Sequence, residues 1–216
     1  MRIIGPRTEV TLNTFEQATM KSLAEEICKQ KREVFDKQYK VDTRSLYEVS
    51  LQGFSGELAF CKMVNIYPWC LSADINYTGP DCFICGRKID VKTTKYETGQ
   101  LIIPPHKINH EAELFVLMIG EKVKFSFRGW IWAKEILREE RLKPHLLKAT
   151  GKIHKSYTAS QSVLRHALYS EDLKGVANGN QEERQRLQGT PLQQGAERPG
   201  KSNTEAGKQS EGPINS

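Results

Sequence analysis

Between residues 13 and about 38 the apolar residues Leu23, Ile27 and Val34 recur at helical spacing among charges. That pattern predicts a peripheral helix with a thin apolar stripe. A second helical pattern runs from about residue 46 to 66. It stops at Tyr67-Pro68, because the residue before a proline is pushed away from helical geometry. Placed at 100° each, Phe54, Leu58, Phe60, Cys61 and Val64 of this helix form one broad apolar arc. The period then changes. Runs rich in β-branched and aromatic residues at 82–85, 89–94, 101–103, 114–119 and 123–132 read as strands. A last helical stretch is expected over 161–169. Helix first, then strands, then mixed elements predict an α/β or α+β domain, a mixed β-sheet flanked by helices.

From residue 171 the pattern is lost. The segment 171–216 is rich in Gln, Gly, Glu, Ser and Asn, and Leu187, Leu192 and Ile214 stand isolated. Such a segment buries too little apolar surface to offset the entropy of ordering it, so a disordered tail is expected. The chain has 216 residues and a net charge of +6. The tail holds six Lys/Arg and seven Asp/Glu, so the first 170 residues are one charge more positive than the whole. A basic folded part fits a polyanionic partner. No run of 18 apolar residues predicts a membrane span, and the N-terminus lacks the apolar stretch of a secretion signal. The expected compartment is the cytoplasm. Five cysteines, an odd number scattered along the chain, argue against a disulfide framework.

The segment Gly79-Pro80-Asp81-Cys82-Phe83-Ile84-Cys85-Gly86-Arg87-Lys88-Ile89-Asp90-Val91-Lys92 carries the candidate chemistry. A two-residue turn at Gly86-Arg87 predicts a hairpin with Asp81 facing Lys92 and Phe83 facing Asp90. Alternation then puts Asp81, Phe83, Asp90 and Lys92 on one face and Cys82, Ile84, Ile89 and Val91 on the other. Asp81 and Asp90 become diagonal neighbours, roughly 7–8 Å apart at the backbone, with carboxylates able to meet on one cation. Glu57 falls inside the apolar arc of the second helix, where a carboxylate is costly unless paired or bound to metal. Gly53 and Gly56 beside it allow close approach to the sheet. Hard carboxylate oxygens suit Mg²⁺, which retains waters and bridges to phosphate. Lys92, one pleat from Asp90, is placed to act on a water or on developing charge.

At these residues the sequence resembles the PD-(D/E)xK nucleases, the restriction-endonuclease-like superfamily, most like small phage or bacterial members. Pro80-Asp81 matches the PD element, Asp90-Val91-Lys92 the (D/E)xK element, and Glu57 the helical glutamate many members place before the sheet. The resemblance covers roughly residues 45–135. It implies a restriction-endonuclease-like core within a nuclease domain over 1–170, whose N-terminal helical region spans about 10–45. It implies that Asp81, Asp90 and the Val91 carbonyl bind Mg²⁺, with Mn²⁺ substituting, that Lys92 works on the nucleophilic water, and that Glu57 completes the metal site. The implied activity is hydrolysis of DNA phosphodiester bonds. Endonuclease is favoured over exonuclease, since no Gln-x-x-x-Tyr element follows; Gln161 is followed four residues on by Arg165. The rival reading is a non-catalytic DNA-binding module that keeps the fold; a third is an adaptor that recruits partners through its tail. The sequence leaves oligomeric state open, a homodimer included.

Other features have two readings each. Cys82-x-x-Cys85 is half a zinc knuckle or two free thiols. Asp74 is a competing first aspartate or a turn residue. Lys95, Tyr96 and Gln100 contact nucleic acid or form a solvated loop. His106 and His110 assist water activation or are polar surface. Phe125, Phe127, Trp130 and Trp132 stack on bases or pack a sheet face. Lys152, His154, Lys155, Tyr157 and Arg165 form a late basic stretch that touches a DNA backbone or water.

Overall fold

The computed structural model describes residues 1–32, 44–68, 71–74, 76–109, 111–146 and 153–174. In chain order its elements are β1 (Arg2–Ile4), β2 (Glu9–Thr11), α1 (Thr14–Arg32), α2 (Leu46–Met63), β3 (Cys82–Ile84), β4 (Arg87–Thr94), β5 (Leu101–Ile103), β6 (Leu114–Glu121), β7 (Lys124–Trp132), α3 (Ala133–Ile136), β8 (Leu142–Leu146), β9 (Ile153–Ala159), β10 (Leu168–Tyr169) and α4 (Ser170–Lys174). The fold is α+β. A five-stranded mixed sheet has the order β2-β7-β6-β4-β3, with β4 and β6 parallel and the other pairs antiparallel.

Both long helices start on reciprocal caps. Asn13 and Glu16 exchange side-chain-to-backbone bonds at the start of α1 (2.6 and 2.9 Å), and Ser45 and Glu48 form a capping box at α2. α2 ends where Asn65 takes a left-handed φ of 55°, earlier than the proline signal suggests. The buried stripe of α1 is Met20, Ala24 and Ile27; Ile27 is buried as expected and Leu23 only half-buried, and Val34 and the end of the expected 13–38 helix lie outside the described residues.

The five strands expected from residues 82–132 are present at nearly their predicted bounds. One face of the sheet packs on α2 through Ile89, Val91, Val116, Phe125, Phe127 and Trp130, around Phe60. Gly129, with φ of 145°, bulges β7, so Phe127 and Trp130, three apart, reach the same face. The aromatic run is therefore sheet packing, and Trp132 is partly buried beside it. The other face carries Phe115, Leu117 and Ile131. It is covered by α3 and by a three-stranded sheet, β5-β9-β8, that the pattern of residues 142–159 did not reveal.

The helix expected at 161–169 is absent. Gln161–Val163 is a single 3-10 turn, and Leu168–Tyr169 pairs with β1. Leu164 and Leu168 sit four apart and imitate a helical period. Arg165, however, exchanges two backbone bonds with Trp130 (3.0 and 2.9 Å), which pins this stretch against β7. Packing also continues past residue 170. Leu173 is buried in the α2-facing core, its carbonyl accepts Arg87 Nε at 2.9 Å, and the Met1 amine bonds Ser170 Oγ at 3.0 Å. Ending the chain after Ser170 should therefore destabilise it. Burying one leucine is worth about 1.5–3 kcal/mol, so a melt should show a loss of roughly 4–10 °C. An unchanged melting temperature would show that Leu173 contributes nothing. The tail beyond Lys174 lies outside the described residues.

Candidate active site

The site begins with a glycine. A Cβ on Gly56 would lie 1.9 Å from Thr93 Oγ1 and 2.8 Å from Thr93 Cβ, so only glycine lets α2 come this close to β4. That approach sets the next residue, Glu57, among the charges of the hairpin. Gly53 has no such role: its nearest neighbour is Glu57 Oε1, at 3.8 Å.

The hairpin turns one residue earlier than expected. Cys85 and Gly86 are the loop, with φ of 51° and 77°, and the pairs are Ile84↔Arg87, Phe83↔Lys88 and Cys82↔Ile89. Positive φ at both central residues is the geometry whose twist matches the strands. Moving the turn by one residue changes each partner by two, so the faces are preserved. Cys82, Ile84, Ile89 and Val91 line the core, while Phe83 is exposed. Asp81 lies just past the last regular pair. Its N–H bonds the Ile89 carbonyl (2.8 Å), and its Oδ2 accepts the Val91 N–H (2.6 Å). The Asp81 carboxylate thus sits alongside Asp90 rather than opposite Lys92. The Val91 carbonyl points to the same edge of β4 as its N–H.

Asp90 is 1% exposed and accepts from Lys92 Nζ through Oδ1. Its Oδ2 lies 3.3 Å from Nζ of Lys107, whose side chain is three-quarters buried. Lys107 comes from the 3-10 turn Pro105–Asn109 after β5. It is the site residue that sequence reasoning missed, since nothing in its neighbourhood has a motif's spacing and only the fold brings it to Asp90.

Glu57, Asp81 and Lys92 each keep a strip of solvent exposure but are otherwise enclosed by protein, and their charges act on one another. Burial, reinforced by Asp90, pushes the Asp81 carboxyl up to about 6, against the pull of Lys92, the Val91 N–H and Lys107. Burial and Asp81 push Glu57 well above the carboxylate range, with Asp90 in the same sense and Lys92 opposed. Burial lowers Lys92, but Asp90, Asp81 and Glu57 outweigh it and hold the ammonium above its usual range. Three carboxylates face two ammonium groups, so the fully ionised cluster carries one excess negative charge.

Among the described residues no three His, Cys, Asp or Glu side chains form a ready cage for an ion. Mg²⁺ does not need one, since it is commonly held by one or two carboxylates plus waters. Asp81 and Asp90, crowded and rich in negative charge, with the Val91 carbonyl on the adjoining edge, fit that donor set. Glu57 extends it.

The other expected residues lie elsewhere. Asp74 is exposed, and its Oδ1 accepts the Asn76 N–H at 2.8 Å; it is a turn residue. Lys95 sits over the Tyr96 ring at 5.7 Å, and both are exposed, as are Gln100, Lys155 and His106. Cys82 is buried in the α2-facing core and Cys85 is exposed at the turn, neither in a disulfide. Arg165 holds Glu135 and is not part of this cluster. His110, Lys152 and Cys70 lie outside the described residues.

The raised Asp81 makes a stability prediction. Folded Asp81 titrates near 6 and an unfolded aspartate near 3.9. Between those values the folded state binds more protons, so metal-free stability falls as pH rises from about 4 to about 6 and stays low above. Asp81→Asn removes this penalty and keeps an oxygen for the Val91 N–H. In EDTA at pH 7.5 the variant should melt above wild type by a few degrees, on the order of 1–3 kcal/mol, and the gap should close near pH 4. A variant that melts lower at both pH values would contradict the crowding.

Searches against protein-family models, curated proteins and solved structures return no match. Among the described residues no helix is long and apolar enough to cross a membrane.

Proposed function

We propose that this chain is a Mg²⁺-dependent nuclease with a restriction-endonuclease-like core, hydrolysing DNA phosphodiester bonds, as an endonuclease. The observation that carries the reading is the convergence of Glu57, Asp81, Asp90 and Lys92 from one helix and one hairpin into a single electrostatic cluster. A bound Mg²⁺ or Mn²⁺ supplies Lewis-acid neutralisation of the scissile phosphate and acidifies a water. The protein's own groups do the rest. Asp81 and Asp90 present hard oxygens from the two sides of the hairpin. Lys92 stays an ammonium in this environment, so it donates to oxygen and offsets developing negative charge rather than removing a proton. Lys107 supplies a second fixed positive charge beside Asp90. Glu57, held above the carboxylate range by burial and its acidic neighbours, ionises less readily than an ordinary glutamate until a cation relieves it.

One observation favours the second reading, a non-catalytic DNA-binding module. Asp90 is already engaged by two ammonium groups, so its charge is compensated without a metal. Supercoiled plasmid incubated with the purified chain in Mg²⁺, Mn²⁺ or EDTA separates the two. Nicking that needs metal supports the nuclease; retention without nicking supports the module.

A further inference from the structure

Away from the carboxylate cluster, a cavity of about 750 Å³ opens between α3, the turn Glu139–Arg141, β8, β9 and residues 163–165. Its charged walls are Arg138, Arg141, Lys143 and Arg165 against Glu135 and Glu140. Both acids are already engaged. Glu135 accepts two bonds from Arg165, at 2.6 and 2.8 Å, and Arg165 is further fixed over the Trp130 ring at 4.9 Å. Glu140 lies 3.9 Å from Arg138. Among the described residues Arg141 uses only Nε, on the Glu135 carbonyl at 3.0 Å. Among the described residues neither its terminal nitrogens nor Lys143 has a carboxylate within ion-pair distance. Among the described residues, two positive charges therefore line the cavity without a paired carboxylate, one of them a planar fork suited to a tetrahedral oxyanion.

We propose that this cavity is a phosphate-binding site. It holds a phosphate group of a nucleic-acid backbone or of a free nucleotide, through Arg141 and Lys143, with Arg165 as a fixed wall. Among the described residues none of its lining side chains is aromatic, so they offer no base-stacking platform and recognition stops at the phosphate. None of Glu57, Asp81, Asp90, Lys92 and Lys107 lines it, so the proposal does not rest on the nuclease reading.

The test is fluorescence anisotropy of labelled 20-nucleotide DNA, single-stranded and duplex, in EDTA across a salt series. Each lost phosphate contact lowers the log–log salt slope by about 0.7–0.9. Lys143→Ala, which removes no contact within the described protein, should lower it by about that amount. Lys143→Ala with Arg141→Gln should lower it by about twice as much, with melting temperature checked in parallel. Lys21→Ala on α1 is the control for general surface charge. Calorimetry with ATP and with inorganic phosphate distinguishes the sources. Loss of DNA affinity in the variants assigns the site to a backbone phosphate, and loss of ATP or phosphate binding alone assigns it to a free nucleotide. Variants that bind all three ligands like wild type, or a Lys21→Ala loss as large as that of Lys143→Ala, would overturn the site.

Discussion

Lys92→Ala should cut DNA about a hundredfold more slowly than wild type, or worse, while binding uncleaved duplex only modestly less well. The asymmetry follows from where Lys92 sits. Its ammonium touches Asp90, and Asp90, Asp81 and Glu57 keep it charged, so in the proposed reaction its effect is greatest when negative charge grows on the phosphate. Loss of one such stabiliser costs about 10²–10³ in rate. Ground-state affinity rests on many cations, of which this is one. Both quantities should be measured on one duplex, with Ca²⁺ replacing Mg²⁺ for binding. Removing a buried counter-charge also loosens the metal-free fold, so the folded fraction of the variant is checked at the assay temperature. Should Lys92→Ala cut as fast as wild type, the lysine is misassigned. Lys107 is then the next candidate, because Lys88 is held by Glu111 and Lys95 sits over Tyr96.

Asp90→Ala should have the larger effect, and on two readouts. Asp90 is the one fully buried acid of the cluster and the group on which Lys92 and Lys107 both converge. Cleavage should fall by about a thousandfold or more, the scale of several kcal/mol of charge stabilisation. Stability should lose its metal response as well. A ligand at a hundred times its Kd stabilises the folded state by about 2.7 kcal/mol, roughly 5–10 °C for a domain of this size. Wild type should show that rise with Mg²⁺ or Mn²⁺, and Asp90→Ala should not. An equal rise in both proteins removes Asp90 from the metal site.

The core of this account was legible because strands and turns speak locally. Alternation marked Cys82, Ile84, Ile89 and Val91 as core, and they are. The turn lies one residue earlier than a glycine-first loop predicts, because Cys85 takes positive φ as well as Gly86. The faces survived because a hairpin shift of this kind moves each partner by two. Glu57 was visible as a misfit on an apolar arc, and Gly56 as the residue that lets α2 approach Thr93. What could not be read depends on distant chain. Lys107 reaches Asp90 only because β5 and its following turn are placed against β9. Leu173 looked like tail until Arg87 and the N-terminus closed over that segment. β8 and β9 lack clean alternation, with Tyr157, Thr158 and Ala159 buried in succession, so the second sheet left little trace.

The central claim is that the cluster at Asp81, Asp90 and Lys92 hydrolyses phosphodiesters with a divalent ion. It is tested most directly by incubating wild type and Asp90→Ala, prepared side by side, with linear, circular, single-stranded and branched DNA in Mg²⁺, Mn²⁺ or EDTA. The account predicts cutting of at least one substrate by wild type, dependent on metal and absent in Asp90→Ala. Folded wild type that binds DNA yet cuts none of the four in either metal, or cutting that persists equally in EDTA or in Asp90→Ala, would contradict it.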